Sequence, residues 1–267
     1  MTSEFVHLHN HSDYSLLDGA QTVQTLVNTI DDLGMDSVAL TEHGNMFSVI
    51  PYYKAAKKAG IKPIIGCETY VAVGSRFEKK PRADGGWGNN HLVLLAQNYK
   101  GYQNLMKLVT FGYLDGFYYR PRVDIDLLKE HNEGIICLSG CLKGEVTEKM
   151  LKDDWDGAKE AALRFAEIFE NRFYLEVQNH GIPDEAQNIQ NMKKLAGELN
   201  LPLVCTNDAH YAKHEHWEAH DVHICLGTGK DRDDPNRLRY ATPEFYFKTQ
   251  DQMYEMFKDV PNAIENT

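Results

Sequence analysis

Two pairs of potential metal ligands occur in the sequence, each with one residue between its members. His9 and His11 form the first pair, and Asp208 and His210 form the second. In an extended segment alternate side chains point to the same face, so each pair can present two ligands in one direction. Imidazole nitrogens and carboxylate oxygens are ligands that Zn²⁺ and similar divalent ions accept in proteins. One such pair is a weak signal, but two in one chain indicate a metal site.

Further residues of the same chemical types extend this candidate set. The nine predicted ligands are five histidines, three carboxylates and one cysteine: His9, His11, Asp18, His43, Glu68, His91, Cys141, Asp208 and His210. Because a tetrahedral Zn²⁺ ion takes four ligands, nine of them predict two or three ions. Three members could instead have a purely structural role: Asp18 could form a turn with Gly19, Glu68 could be an ordinary carboxylate at the rim, and Cys141 could be a small core residue. We keep all three as predicted ligands.

Short runs rich in β-branched residues alternate along the chain with amphipathic segments of helical length. This alternation predicts an α/β fold in which helices cover a parallel sheet. The predicted strands are residues 5–9, 37–40, 62–71, 91–97, 134–138, 172–177 and 203–205. Seven strands suggest a barrel, in which the carboxyl ends of the strands converge at one mouth. Such a barrel would bring the predicted ligands together.

Composition and charge exclude several classes of protein. The 267 residues include 28 Lys and Arg against 39 Asp and Glu, a formal net charge of −11. This charge repels polyanions unless cations are bound locally, which excludes a nucleic-acid binder with a generally basic surface. The sequence has no run of about 18 apolar residues, and its first residues lack the basic region and apolar core typical of a signal peptide. Its five cysteines lack the spacing of a disulfide framework. We expect a cytoplasmic protein with no membrane partner.

A second group of histidines lies just after the last predicted strand: His214, His216, His220 and His223. The spacing of His216 and His220 places both on one face of a helix, where such a pair can bind zinc. However, Trp217 stands where the HExxH zinc motif requires glutamate. We therefore expect this segment to form a solvent-exposed outer helix.

The domain organisation is predicted to be simple. We expect one barrel domain over residues 1–227 and a C-terminal extension of the same domain over residues 228–267. No internal repeat and no linker rich in Pro, Gly or Ser divides the first range. The chain stops inside a predicted helix, at Ala263-Ile264-Glu265-Asn266-Thr267, so we expect a longer protein that continues into a region absent here.

The predicted ligands occur within motifs that resemble those of the polymerase and histidinol phosphatase (PHP) family. These motifs are His9-Asn10-His11-Ser12, Thr41-Glu42-His43-Gly44-Asn45 with Glu68, and Asp208-Ala209-His210. Further phrases are similar to the PHP domain of bacterial replicative DNA polymerase III alpha subunits: Gly101-Tyr102-Gln103-Asn104-Leu105, Leu138-Ser139-Gly140-Cys141 and Gln178-Asn179-His180-Gly181. The resemblance covers nearly the whole chain. It implies a distorted (β/α)7 barrel with a trinuclear metal site at the C-terminal mouth of the strands.

The same resemblance implies a metal-dependent phosphodiesterase, in particular a 3′–5′ exonuclease that proofreads DNA. Its cofactors would be two or three divalent ions, with zinc expected first and manganese or magnesium as alternatives. Asp18, Glu68 and Asp208 would take part in catalysis through the bound ions. The partners would be a DNA 3′ end, single-stranded or frayed from a primer, and the rest of the polymerase chain and replisome. The polymerase active site would lie in the region that this chain lacks.

Two other functions share this ligand set. A phosphomonoesterase or a pyrophosphatase would use the same metals but would have a closed pocket in place of a mouth open to a strand. A structural metal-binding module that supports the polymerase is the non-enzymatic alternative, since some family members have lost ligands and keep only the domain. An intact set of ligands favours catalysis over the structural role.

Four residues are candidates for binding the substrate backbone: His180, Arg82, Arg120 and Arg122. Arg82 belongs to a Gly-rich stretch, residues 74–90, that is predicted to be a loop at the rim. The neighbouring aromatic residues Phe117, Tyr118 and Tyr119 could stack on bases. The arginines and aromatic residues could equally be a solvated run of charges beside core aromatics. His180 could instead hold a metal ligand in place.

Overall fold

The computed structural model describes residues 5–81 and 88–267 and shows an α/β fold built on a curled sheet. The strands are β1 Ser37–Leu40, β2 Lys62–Ala72, β3 Asn89–Ala96, β4 Arg122–Val123, β5 Ile135–Leu138, β6 Phe173–Val177 and β7 Leu203–Cys205. The helices are α1 Val23–Asp32, α2 Val49–Ala59, α3 Tyr99–Leu114, α4 Ile125–Glu130, α5 Glu145–Leu151, α6 Trp155–Ile168, α7 Pro183–Leu199, α8 Trp217–Thr228, α9 Gln250–Met256 and α10 Pro261–Glu265. The α/β fold class is confirmed.

The sheet has the strand order β1-β2-β3-β5-β6-β7, and β4 pairs with β2 at one side. The predicted parallel arrangement holds for the pairs β1–β2, β5–β6 and β6–β7 but is wrong for β3, which is antiparallel to both β2 and β5. The described residues between β2 and β3 contain no helix, and a parallel connection needs a long crossover, usually helical. Because β3 runs in the opposite direction to β2 and β5, its first residues lie at the end of the sheet where those two strands have their last residues.

The N-terminal segment is not the regular strand predicted over residues 5–9. It makes isolated bridges, from His7 to Val38 and from Asn10 to Ala209. The side-chain amide of Asn10 donates hydrogen bonds to the carbonyl oxygens of His7 and Ala39, at 2.9 and 3.0 Å. Side-chain bonds thus replace part of the strand ladder. Through its two bridges the segment connects the β1 edge of the sheet to the chain that follows β7.

The C-terminal residues pack onto the barrel and share its hydrophobic core. Phe247, Met253, Phe257 and Ile264 are buried in the same cluster as the sheet and helix residues. The side-chain amide of Asn266 also donates to the carbonyl oxygen at the start of β7. The segment after α8 is therefore held against the barrel over much of its length.

The structure bears on two expectations: that the cysteines form no disulfide framework and that no segment spans a membrane. Cys67, Cys137, Cys205 and Cys225 are free of disulfide bonds, as the cysteine spacing predicts, and all four are buried. Among the described helices, none combines the length and the apolar character that crossing a lipid bilayer would require.

Candidate metal centre

The nine predicted ligands lie together at one end of the sheet. They come from seven segments: the N-terminal segment, the turn before α1, the residues after β1, strands β2 and β3, and the residues after β5 and β7. Three groups each have ligand atoms within 4.8 Å of one another: His11 with His43 and His210, His9 with His11 and Asp208, and Glu68 with His91 and Cys141; the first two share His11. The reversed direction of β3 explains how His91, at the beginning of a strand, reaches this place.

Asp208 links the two histidines of the N-terminal pair. Its Oδ1 atom is 3.3 Å from Nε2 of His9 and 3.1 Å from Nε2 of His11. Glu68 approaches the same two nitrogens from β2, at 3.6 and 3.7 Å. Two buried imidazoles therefore face two buried carboxylates.

Asp18 and His43 form a second side of the centre. Oδ1 of Asp18 is 3.1 Å from Nε2 of His43, and its Oδ2 is 3.9 Å from Nε2 of His210. A close turn places Asp18 here: a Cβ on Gly19 would lie 1.8 Å from the carbonyl oxygen of Ser12. Only glycine therefore lets the chain fold back at this point.

Glu68, His91 and Cys141 form the third side. Nδ1 of His91 is 2.6 Å from Oε1 of Glu68 and 3.8 Å from Sγ of Cys141. Glu68 also pairs with Nδ1 of His43. The Glu68 carboxylate thus contacts ligands of all three groups, which makes it the residue best placed to bridge ions.

Residues outside the predicted set fix the orientation of the imidazoles. Nδ1 of His9 is 2.7 Å from Oε1 of Glu176, and Nδ1 of His11 is 3.1 Å from the hydroxyl of Ser15, which in turn donates to Glu42 at 2.5 Å. Because these acceptors take the Nδ1 hydrogen, Nε2 is the ring nitrogen that faces the centre and can offer a lone pair to an ion. The predicted ligand set includes neither Glu176 nor Glu42, although an acidic residue inside the apolar strand β6 is a recognisable signal.

The donor atoms at the centre fit a group of divalent ions. Among the described residues, several buried polar atoms make no hydrogen bond, and many of them belong to the predicted ligands: His9 Nε2, His11 Nε2, Asp18 Oδ1, both ring nitrogens of His43, Glu68 Oε2 and Asp208 Oδ1. Buried polar atoms are costly unless another group satisfies them. Nitrogen and carboxylate donors that face one another suit Zn²⁺ or Mn²⁺.

The ionisation of the centre matches this chemistry. Burial by itself favours the neutral carboxyl form, yet the surrounding imidazoles hold the pKa of Asp18, Glu68 and Asp208 well below the ordinary value. Burial, together with neighbouring imidazoles, lowers the pKa of His11 to about 3. The carboxylates are therefore ionised and His11 is neutral at neutral pH, which are the forms that bind metal ions. In contrast, against the effect of burial, the neighbouring carboxylates raise the pKa of His9 and His43 well above the ordinary value, so an ion that binds these two rings would displace a proton from each.

A family comparison identifies the domain that carries this centre. The family model described as the PHP domain matches residues 7–180, about two thirds of the chain. The chain belongs to the PHP domain family. The matched range of the PHP domain includes the ligands from His9 to Cys141, whereas Asp208 and His210 lie beyond it.

Relatives of this PHP domain are long proteins. The chain is 48% identical over 265 residues to the DNA polymerase III subunit alpha of Borreliella burgdorferi, with 99% of this chain and 23% of that protein aligned. The corresponding protein of Treponema pallidum is 46% identical, with 98% and 22% aligned, and that of Thermus aquaticus is 42% identical, with 96% and 21% aligned. The chain thus spans a little over a fifth of the length of these relatives.

A solved structure of an amidohydrolase from Chromobacterium violaceum aligns with 77% of the PHP chain and 87% of its own chain. The TM-score is 0.44 and the sequence identity is 14%.

Two of the predicted substrate contacts are buried and have partners within the protein. His180 is buried, with Nδ1 2.6 Å from Oε1 of Glu185 and Nε2 2.9 Å from the carbonyl oxygen of Asn207. Both ring nitrogens are used within the PHP fold, so His180 braces the segment that leads to Asp208. Arg122 is also buried, and its guanidinium donates to three backbone carbonyl oxygens, which gives it a structural role.

The other two predicted substrate contacts differ in position. Arg82 lies outside the described residues. Arg120 is exposed at the rim of the PHP domain, with its guanidinium carbon 5.7 Å from the centre of the Tyr70 ring. The Tyr70 ring is in turn 5.2 Å from the ring of His91. Of the predicted basic contacts within the described residues, Arg120 is therefore the one that lies exposed beside the metal centre.

The second histidine group is only partly exposed, in contrast to the prediction. His214 is exposed, but His220 is buried on α8 and its Nε2 lies 2.9 Å from the carbonyl oxygen of Asp18. His220 therefore supports the turn that carries a predicted ligand. Within residues 5–81 and 88–267, the groupings able to hold an ion all belong to the centre at the barrel mouth.

Proposed function

We propose that this PHP domain is a metal-dependent phosphodiesterase that removes nucleotides from the 3′ end of DNA. The observation that carries the proposal is the convergence of nine ligand-type side chains, from seven segments, with buried donor atoms that face one another without hydrogen bonds. A site of this size suits several ions and not one tetrahedral ion. The family membership and the similarity to DNA polymerase III alpha subunits support a nucleic-acid substrate.

The predicted ligands would hold two or three divalent ions, which supply Lewis acidity toward a phosphate oxygen and assist deprotonation of water near neutral pH. Glu68 would hold ions together because it contacts all three ligand groups. Glu176 and Glu42 keep the lone pairs of His9 and His11 directed inward. The anionic ligands Asp18, Glu68, Asp208 and Cys141 as a thiolate would carry four negative charges, which three divalent ions would more than offset. An acidic protein could in this way attract a phosphate backbone.

The rim beside the centre supports a single-stranded substrate. Phe47 and Phe117 are exposed, and their rings lie 6.0 and 6.2 Å from the ring of Tyr113 between them. Arg120 is also exposed, and it is close enough to Tyr113 for its charge to act on the pKa of that hydroxyl. Exposed aromatic rings next to a positive charge provide stacking surfaces for unpaired bases and attraction for the backbone. This combination favours a frayed or single-stranded 3′ end over a small phosphomonoester.

The direct test is hydrolysis of a 5′-labelled primer with a mismatched 3′ end, by chain loaded separately with Zn²⁺, Mn²⁺ or Mg²⁺. We expect a ladder of products shortened from the 3′ end, because the label stays at the other end. The variant Asp208→Asn separates this activity from contaminating nucleases, which would be unaffected by the substitution.

Other outcomes would replace the proposal. Faster hydrolysis of p-nitrophenyl phosphate or pyrophosphate than of DNA would identify a phosphomonoesterase or pyrophosphatase. Full metal occupancy without hydrolysis of any of these substrates would favour a structural module.

A further inference from the structure

Tyr240 reaches the candidate metal centre from the C-terminal extension, outside the range that the PHP family model matches. Its hydroxyl oxygen is 2.9 Å from Nε2 of His210 and 3.2 Å from Oδ2 of Asp18. Both partners are predicted ligands. The chain thus contributes to the centre a neutral phenol that no ligand motif contains.

Packing fixes the position of this phenol. The Tyr240 ring makes edge-to-face contacts with the rings of His220 and Phe245, at centroid distances of 4.8 and 4.5 Å, and lies 5.1 Å from that of His210. Edge-to-face packing of this kind is favourable and directional. The hydroxyl is therefore held at the centre by ring contacts that a phenylalanine would keep.

The ring nitrogen of His210 that carries the hydrogen determines which atom the Tyr240 hydroxyl donates to. Nδ1 of His210 is 2.7 Å from the carbonyl oxygen of Asp208, which can only accept, so Nδ1 carries the hydrogen and Nε2 carries the lone pair. The Tyr240 hydroxyl consequently donates to Nε2. That lone pair is also the one His210 would offer to a divalent ion. Ion binding would therefore release the phenol hydrogen for another acceptor.

The remaining protein acceptor is poorly placed. Oδ2 of Asp18, at 3.2 Å, is farther away than the usual range of about 2.5 to 3.0 Å for a hydrogen bond between two oxygens. We propose that the released Tyr240 hydroxyl donates a hydrogen bond to a non-bridging oxygen of the substrate phosphate. This contact rests on the proposed phosphoesterase function and adds to it a substrate-binding residue. An uncharged donor among Asp18, Glu68 and Asp208 can approach a phosphate without the repulsion that another carboxylate would cause.

The test compares the metal-loaded chain with its Tyr240→Phe variant, using thymidine 5′-monophosphate as the probe. We expect the variant to keep the parent's bound metal and melting temperature, because the ring contacts remain. Its affinity for the nucleotide, measured by isothermal titration calorimetry, is expected to fall about tenfold, as for loss of one hydrogen bond to a charged group. The KM for DNA should rise with it more than kcat falls.

Tyr246→Phe is the matched control. Tyr246 belongs to the same segment, but its hydroxyl accepts from the Gln252 amide at 3.2 Å. We expect its metal content and nucleotide affinity to equal those of the parent.

Three results would overturn the contact: equal nucleotide affinity in Tyr240→Phe and the parent, loss of metal from Tyr240→Phe, or a metal-loaded parent that binds no nucleotide. A parent that binds the nucleotide in a Tyr240-dependent way but hydrolyses no phosphate ester would refute the proposed function and leave the contact standing.

Discussion

The histidines of the barrel mouth and those of the second group, which begins at His214, have the same side chain in different surroundings. At the mouth, Nε2 of His9 and of His11 each face two carboxylates at 3.1 to 3.7 Å. After β7, the His214 side chain is 51% exposed, and the carboxylate of Glu244 lies 3.9 Å from its Nε2. The buried member, His220, uses Nε2 on a backbone carbonyl. The two regions thus differ in whether buried carboxylates face the ring nitrogens, which the spacing of histidines along a helix does not reveal.

The largest effect that this comparison predicts is the loss of hydrolysis in Asp208→Asn. The substitution keeps the shape of the side chain but removes the charge that faces His9 and His11. We expect the rate of 3′-end hydrolysis to fall roughly a thousandfold, because ions bound by a weakened ligand set polarise phosphate poorly. The measurement is a single-turnover assay on the mismatched primer.

Glu215→Gln is its control in the second histidine region, where Glu215 is exposed. The rate should be that of the parent. Comparable losses in the two variants would mean that the comparison between the regions is wrong.

Metal removal should destabilise the fold, and the whole effect should come from loss of ions at the barrel mouth. Ligands from seven segments hold separate parts of the chain together, so an ion that binds only the folded state stabilises it by mass action. At an ion concentration about 100 times the dissociation constant this amounts to about 2.7 kcal/mol, or a melting temperature about 5 to 10 °C higher. Calorimetry with and without a chelator measures the difference. The variant His216→Ala should show the full difference; its disappearance there would assign the ion to the second region.

Glu176→Gln tests whether metal binding at the barrel mouth depends on residues that hydrogen-bond to the ligands. The carboxylate accepts from Nδ1 of His9 at 2.7 Å and from the backbone N–H of Gly140 at 3.0 Å. An amide removes the charge and cannot accept at both positions, so we expect metal affinity to fall about 10- to 100-fold. Competition with a chromogenic chelator gives the affinity. The exposed Glu167→Gln should bind metal like the parent, and an unaltered affinity in Glu176→Gln would show that His9 needs no such support.

The smallest effect concerns His131, a buried histidine in neither region, which stacks on Phe111. Burial holds its pKa below the ordinary value of 6.5. The folded state therefore binds a proton less readily than the unfolded chain. The resulting stability is complete above pH 6.5 and is lost as the pH falls through that value toward the folded-state pKa.

Replacing this histidine by phenylalanine should remove that loss. Between about pH 7.5 and 5.5, His131→Phe should lose less stability than the parent, by less than about 1 kcal/mol, in urea unfolding. The exposed His214→Phe should follow the parent. Identical pH dependence in all three proteins would show that burial of a histidine alone has no measurable cost here.

The sequence predicted the fold class and six of the strands because their apolar periodicity is local. It also selected nine side chains that the fold brings together, since ligand types at strand ends leave a readable pattern. It could not predict the direction of β3, which depends on the connection before it. It could not predict that Arg122 is buried or that Tyr240 lies at the metal centre, beside Asp18 and 222 positions after it, because both depend on tertiary contacts that leave no local signal.

Asp208 has a backbone φ of 43°, in the left-handed region where asparagine and aspartate are the best tolerated side chains after glycine. The conformation therefore accepts the one replacement that removes the charge and keeps the side-chain shape. In evolutionary terms, a lineage could lose hydrolysis at this position through a single substitution while retaining a folded barrel. Selection for catalysis and selection for the scaffold would then act separately on the same residue.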